Sequence, residues 1–181
     1  MNTRHLLLWA SLALTMPLAA QTPQEDFKRD ITLSGSNYVA YRGPQKQLTP
    51  APKGYKPFYL SHYGRHGSRY MIGKSAYDVP YFSLLKAKQK GKLTAKGEET
   101  LEKVKMIREE ARGRDGELTP LGALQHQGIT RRMMERFPEI FAGNTNIEAR
   151  STLVIRCILS MENGLQQMLR MNPKLHIFHD A

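Results

Sequence analysis

Phe58-Tyr59-Leu60-Ser61-His62-Tyr63, followed by Gly64-Arg65-His66-Gly67-Ser68-Arg69, reads as a short strand that stops at a glycine turn, because aromatic and β-prone residues lie between Pro57 and Gly64. Residues 65–69 then stand at the carboxyl end of that strand, where an open α/β sheet receives its ligand. Phosphoryl transfer to a side chain needs an uncharged nucleophile of moderate basicity, and an imidazole supplies one near neutral or acid pH. A planar guanidinium on either side of it matches the equatorial oxygens of a phosphoryl group in transit, each fork binding bidentately. Gly67 lets the backbone pass close to the anion. By average residue usage, a chance Arg-His-Gly-x-Arg in a chain of this length is on the order of one in a thousand, so the motif carries weight. His66 is the candidate nucleophile, with Arg65 and Arg69 as candidate phosphate ligands.

Outward from this stretch, apolar periodicity predicts helices over 77–90, 94–112 and 120–137, with Leu101, Val104 and Ile107 on one stripe of the second. Thr94 and Thr119 suit N-caps, and Pro120 suits a first helical position. A strand follows over 144–152, a helix over 155–171, and a further strand over 175–179 after Asn172-Pro173. Strand, helices, strand, helix, strand predicts an α/β fold with a mostly parallel sheet flanked by helices. Arg156 lies just past the second strand, near the start of a helix, where free N–H groups and the helix dipole favour an anion. A parallel strand pair brings it to the edge that holds His66; an ordinary surface arginine is the plain alternative. With no covering helix after the last strand, the sheet looks unfinished, and a truncated chain lacking its C-terminal part is expected.

The bulk properties narrow the setting. Residues 1–20 carry a positive start at Arg4, an apolar run from Leu6 to Leu14 and Leu18-Ala19-Ala20 before Gln21, the pattern of a cleaved secretory signal. Its apolar run is shorter than the roughly 20 residues a membrane span requires, so release into a periplasm or the medium is expected, with no membrane attachment after removal. Residues 21–54, rich in Gly, Pro, Ser, Gln and Lys and without sustained periodicity, read as an extended leader, and 55–181 as the catalytic portion. Cys157 is the only cysteine, which excludes an intrachain disulfide and a Cys-rich metal site. A net charge of +11 attracts polyanions of any kind. Aromatic and basic residues do not interleave in a repeated pattern and no nucleic-acid fold signature appears, so a nucleic-acid partner is not expected.

With these residues assembled, the chain resembles the histidine acid phosphatase branch of the histidine phosphatase superfamily. Arg65-His66-Gly67-Ser68-Arg69-Tyr70 is most similar to the multiple inositol polyphosphate phosphatases. Glu117-Leu118-Thr119-Pro120-Leu121-Gly122-Ala123-Leu124-Gln125-His126 resembles the family's Leu-Thr, Gly and Gln-His helix opening. Arg150-Ser151-Thr152-Leu153-Val154-Ile155-Arg156-Cys157-Ile158-Leu159-Ser160 resembles the segment that supplies its third phosphate arginine. The resemblance spans roughly residues 55–180 and implies part of a three-layer sandwich of the phosphoglycerate-mutase-like type. It implies Arg156 as third clamp, with Arg150 structural, and no metal or cofactor. The family's proline after the second arginine is absent, since Met71 follows Tyr70, and Cys157 stands where threonine is commoner.

The function so implied is hydrolysis of phosphomonoesters through a phosphohistidine, on inositol polyphosphates such as phytate; a general acid phosphatase for sugar phosphates or nucleotides competes with it. A non-catalytic phosphoanion-binding fragment is the alternative of another class, because the family's downstream His-Asp or His-Ala-Glu motif, which supplies the proton donor, is not recognisable. His179-Asp180 mimics that motif but follows Arg156 too soon for the family's helical cap domain. His62, His126 and His176 read as packing or hydrogen-bonding residues, although the resemblance, in which His126 recurs in the helix opening, implies that it supports the site from behind; Cys157 reads as a small buried apolar residue.

Overall fold

The structure, a computed structural model, describes residues 22–181 other than positions 42, 45 and 48, and their side chains other than those of 36 and 37. The secretory signal expected over residues 1–20 lies outside the described residues. The chain divides after Ala40 into two compact units. The first contains helix α1 (Pro23–Arg29) and a 3-10 helix (Ile31–Tyr38). These interrupt a stretch whose composition reads as extended. Pro23 opens α1 and the Glu25 carboxylate accepts the Thr22 backbone N–H at 3.2 Å, so local capping forms helices too short to leave a periodic signal.

In the second unit, α2 (Ser75–Gln89) and α3 (Ala95–Glu110) pair first. Thr94 caps α3, its hydroxyl accepting from Gly97 N at 3.1 Å. Polar contacts join the pair beside the buried Leu101. Arg108 donates to Asp78 at 2.6 Å and lies over the Tyr81 and Phe82 rings, and Lys88 meets Glu98 at 2.5 Å. Helix α4 (Pro120–Arg136) is capped by Thr119, which accepts from Gly122 N at 3.0 Å.

The βαβ unit predicted from the second expected strand onward is present. β1 (Asn146–Arg150), α5 (Ile155–Met171) and β2 (His176–Asp180) follow in order, with β1 and β2 parallel in the register Asn146↔His176 through Arg150↔Asp180. Asn172 ends α5 and ties the return: its side-chain amide donates to the carbonyls of Phe141 at 2.7 Å and Gly143 at 2.9 Å. Helices α4 and α5 pack on one another, and Met134, Phe141 and Leu175 form a buried cluster flanked by Leu60, Met133, Ile147 and Met168.

The strand expected over 58–63 is a correction. That segment belongs to no ladder among the described residues. Only Leu60 packs on the core cluster, while Phe58 is 95% exposed and Tyr63 fully so. Composition favours an extended backbone, but a strand exists only where a neighbour lies within about 5 Å to accept its hydrogen bonds. Here the segment and β1 instead line the same cavity. The sheet among the described residues is therefore two-stranded and parallel, within a mixed α/β fold.

Candidate functional site

Where the 58–63 segment ends, the chain enters a loop that is held on all sides. Arg69 and Leu118 form an antiparallel bridge, extended by Tyr70 N donating to Glu117 O and Gly116 N to Met71 O, both at 2.9 Å. Thr119 donates twice to the Ser68 carbonyl, through its backbone N–H and its hydroxyl, at 2.9 Å each. Ser68 N donates to Gln125 Oε1 at 2.8 Å, and Gly67 N donates to Ser160 Oγ at 3.1 Å. The backbones of Gly67 and Gly122 cross closely: a Cβ on Gly67 would meet Gly122 O at 2.4 Å, and one on Gly122 would meet Ser68 O at 2.3 Å. Glycine is required at both positions by proximity.

These bonds decide how an anion can be held here. The amides of Gly67, Ser68 and Tyr70 already donate within the chain, so these three do not serve an anion. His66 is half-buried and its Nδ1 lies 2.8 Å from the Gly67 carbonyl. A carbonyl only accepts, so Nδ1 carries the hydrogen, and the neutral ring has its lone pair on Nε2. That is the tautomer a nucleophile needs. Arg65 is exposed. Arg69 Nη1 donates to Tyr70 O at 2.8 Å, whereas its Nε is buried without a hydrogen-bond partner among the described residues.

Arg156 lies in the first turn of α5 and its Nε is likewise buried and unpartnered. A Cβ on Gly116, whose φ is +73°, would lie 3.4 Å from Arg156 Nη1, so this guanidinium lies against the turn that leads to the Arg69–Leu118 bridge. Ser160 ties the same helical turn to the loop: its hydroxyl donates to Arg156 O at 2.7 Å and accepts from Gly67 N. Buried donors without acceptors are uncommon in folded chains and collect at functional sites.

A cavity of about 770 Å³ opens beside the loop. His126 and Met133 both line it from α4, seven residues and hence roughly 10 Å apart along the helix. His126 meets Arg65, and Met133 lies by the apolar cluster with Leu60, so the cavity has a cationic end and an apolar end. Arg65 and His66 line it, together with Arg150 at the carboxyl end of β1; Arg69 and Arg156 do not. The four predicted residues thus fall into two pairs on one loop-and-helix junction, Arg65 with His66 on the cavity and Arg69 with Arg156 beside the bridge.

Sequence reading missed Ser160, although its position four residues after Arg156 on a predicted helix places the two on one face. The resemblance has His126 supporting the site from behind its phosphate ligands, and here its ring lies 3.1 Å from the Arg65 carbonyl. His179 is bonded to Glu162 at 2.6 Å, on the strand end and α5. Among the described residues no cluster of three His, Cys, Asp or Glu side chains is arranged to hold a metal ion, and no helix is long and apolar enough to cross a membrane.

No family model matches the sequence, and neither does any curated protein. Among solved structures the chain is similar to a multiple inositol polyphosphate phosphatase from Bifidobacterium longum, crystallised in complex with inositol hexasulfate, at 26% identity and a TM-score of 0.53. The match covers 75% of this chain and 29% of that one, so the chain spans less than a third of the length of this neighbour. With the two-stranded parallel sheet and its flanking helices, this likeness supports a histidine phosphatase-like fold for the chain.

Proposed function

We propose that the chain is part of a phosphomonoester hydrolase of the histidine acid phosphatase kind, acting on inositol polyphosphates such as phytate. The observation that carries this reading is the His66 tautomer: Nδ1–H is tied to the Gly67 carbonyl, which leaves the Nε2 lone pair for attack on phosphorus. In the first step an Nε2–P bond forms as the ester P–O bond breaks, and the leaving oxygen takes a proton from a general acid. Water then attacks the phosphohistidine, releasing inorganic phosphate and restoring the neutral ring. Arg65, Arg69 and Arg156 are assigned to the phosphoryl oxygens, whose charge they offset throughout. The likeness to an inositol polyphosphate phosphatase and the chain's net charge of +11 favour a polyanionic substrate over a sugar phosphate or nucleotide.

Within this reading the described unit is a portion of a three-layer α/β sandwich, preceded by a cleaved signal over 1–20 and a leader over 21–54, and exported to the periplasm or medium. Incubation with radiolabelled phytate and acid-free rapid quenching tests the nucleophile. Label bound to protein in a base-stable, acid-labile form is expected in the unmodified chain and absent from His66→Ala. Equal labelling of the two would refute the assignment. A chain that binds phytate without ever becoming labelled would fit the second reading, a phosphoanion-binding module, which the 29% coverage of the phosphatase neighbour keeps in view.

A further inference from the structure

His126 has no step in the reaction above, yet it is built into the loop. Its Nε2 lies 3.1 Å from the Arg65 carbonyl, a contact across 61 positions of sequence. Because the carbonyl only accepts, Nε2 carries the hydrogen and the neutral ring has its lone pair on Nδ1. The bond grips the residue that bears the first guanidinium and immediately precedes the nucleophile.

The surroundings determine when His126 becomes charged. Around the cavity the titratable and charged groups are Tyr59, His62, Tyr63, Arg65 and His66 from the extended segment, Glu148 and Arg150 from β1, and Cys157 from α5. Burial holds the His126 imidazole below the usual histidine range; the Arg65 carbonyl opposes this, and the neighbouring imidazoles of His62 and His66 add to the lowering. His126 is therefore neutral at neutral pH and takes up a proton only in acid. Protonation adds hydrogen to Nδ1 and leaves Nε2–H in place, so the bond to Arg65 persists while the cationic end of the cavity gains a charge.

We propose that His126 is a positioning residue for Arg65 that becomes, in acid, a further positive group for the site, so that phosphate-bearing polyanions are held more tightly as pH falls. This rests on the phosphate-site reading of the His66 loop. A charge added at this range changes the affinity for a multiply charged anion by about tenfold, and much less for a singly charged one.

Calorimetric titration of the 181-residue chain with inositol hexasulfate tests it, since sulfate esters stay fully ionised across the range and only the protein titrates. The unmodified chain is expected to bind about tenfold more tightly at about pH 5 than at about pH 8. His126→Gln keeps an N–H donor but cannot be charged, so it is expected to bind like the unmodified chain at the higher pH and to lose at least half of the logarithmic gain in acid. His126→Ala, without the donor, should bind more weakly at both. An acid gain in His126→Gln equal to that of the unmodified chain, with binding otherwise intact, overturns this inference alone. No binding by the unmodified chain at either pH overturns the phosphate-site reading and this inference with it. Should His126→Gln fail to fold, His126→Asn carries the same comparison.

Discussion

The α2–α3 pair and the α4–β1–α5–β2 unit lie in the same compact part of the chain, but different forces hold them. Arg108, Asp78, Lys88 and Glu98 join α2 to α3 at half-exposed positions, with Leu101 the one buried side chain of α3. Ion pairs at such positions contribute little and are screened by salt. The second unit instead encloses Met134, Phe141 and Leu175 and bonds its helices to the His66 loop through Gln125, His126 and Ser160. Apart from bonds within the loop itself and the Arg69–Leu118 bridge with its turn, the contacts that shape the candidate site come from this unit. A phosphate site needs its donors held to fractions of an ångström, and apolar packing plus buried hydrogen bonds provide that rigidity where exposed ion pairs do not.

Gly122→Ala should break the comparison most severely. The added methyl meets Ser68 O where α4 crosses the loop, so α4 and the loop must separate. A loss of about 3 kcal/mol in urea unfolding is expected, together with loss of inositol hexasulfate binding; unchanged binding would mean the crossing does not shape the site.

Core truncation separates the two regions. Met134→Ala, at a side chain 5% exposed, and Leu101→Ala, at one 3% exposed, should each cost about 2–5 kcal/mol. Only the first is expected to weaken anion binding in conditions where both variants remain folded. Equal weakening by Leu101→Ala would show that the α2–α3 pair supports the site after all.

Tyr70→Phe probes the seam between the regions and should have the smallest effect. The buried phenol donates to Glu110 at 2.9 Å and accepts from Arg114 at 2.7 Å, while burial and the bond to Glu110 push its titration above the usual tyrosine range. Loss of these bonds should cost about 1–2 kcal/mol, seen as a shift in the urea midpoint with anion affinity unchanged.

His126 also adds a pH dependence to stability. Its folded-state titration lies below the unfolded value, so the unfolded chain binds the proton more readily. Stability contributed by keeping the ring neutral is complete above the unfolded histidine range and is lost as pH falls toward the folded one. Bound polyanion should offset this loss by favouring the charged ring.

Much of the architecture was readable without coordinates, for reasons that are local. The helix over 155–171 was expected at the bounds observed, because its apolar face repeats with helical period and Asn172-Pro173 stops it. Thr94 and Thr119 cap the helices that their positions predicted, since a cap involves only neighbouring residues. The Arg-His-Gly-x-Arg motif was equally plain, as its chemistry resides in the residue types themselves.

What needed tertiary structure depends on partners distant in sequence. Phe58 to Tyr63 have the composition of a strand, yet no neighbour accepts their hydrogen bonds among the described residues. The bonds of Ser160 to Gly67, 93 positions apart, and of His126 to Arg65 arise because α4, α5 and the loop fold together, and no local pattern encodes that meeting. Residue identity determined that this chain carries an imidazole between guanidinium groups. Only the folded loop, by offering the Gly67 carbonyl to Nδ1, decided which nitrogen of that imidazole is free.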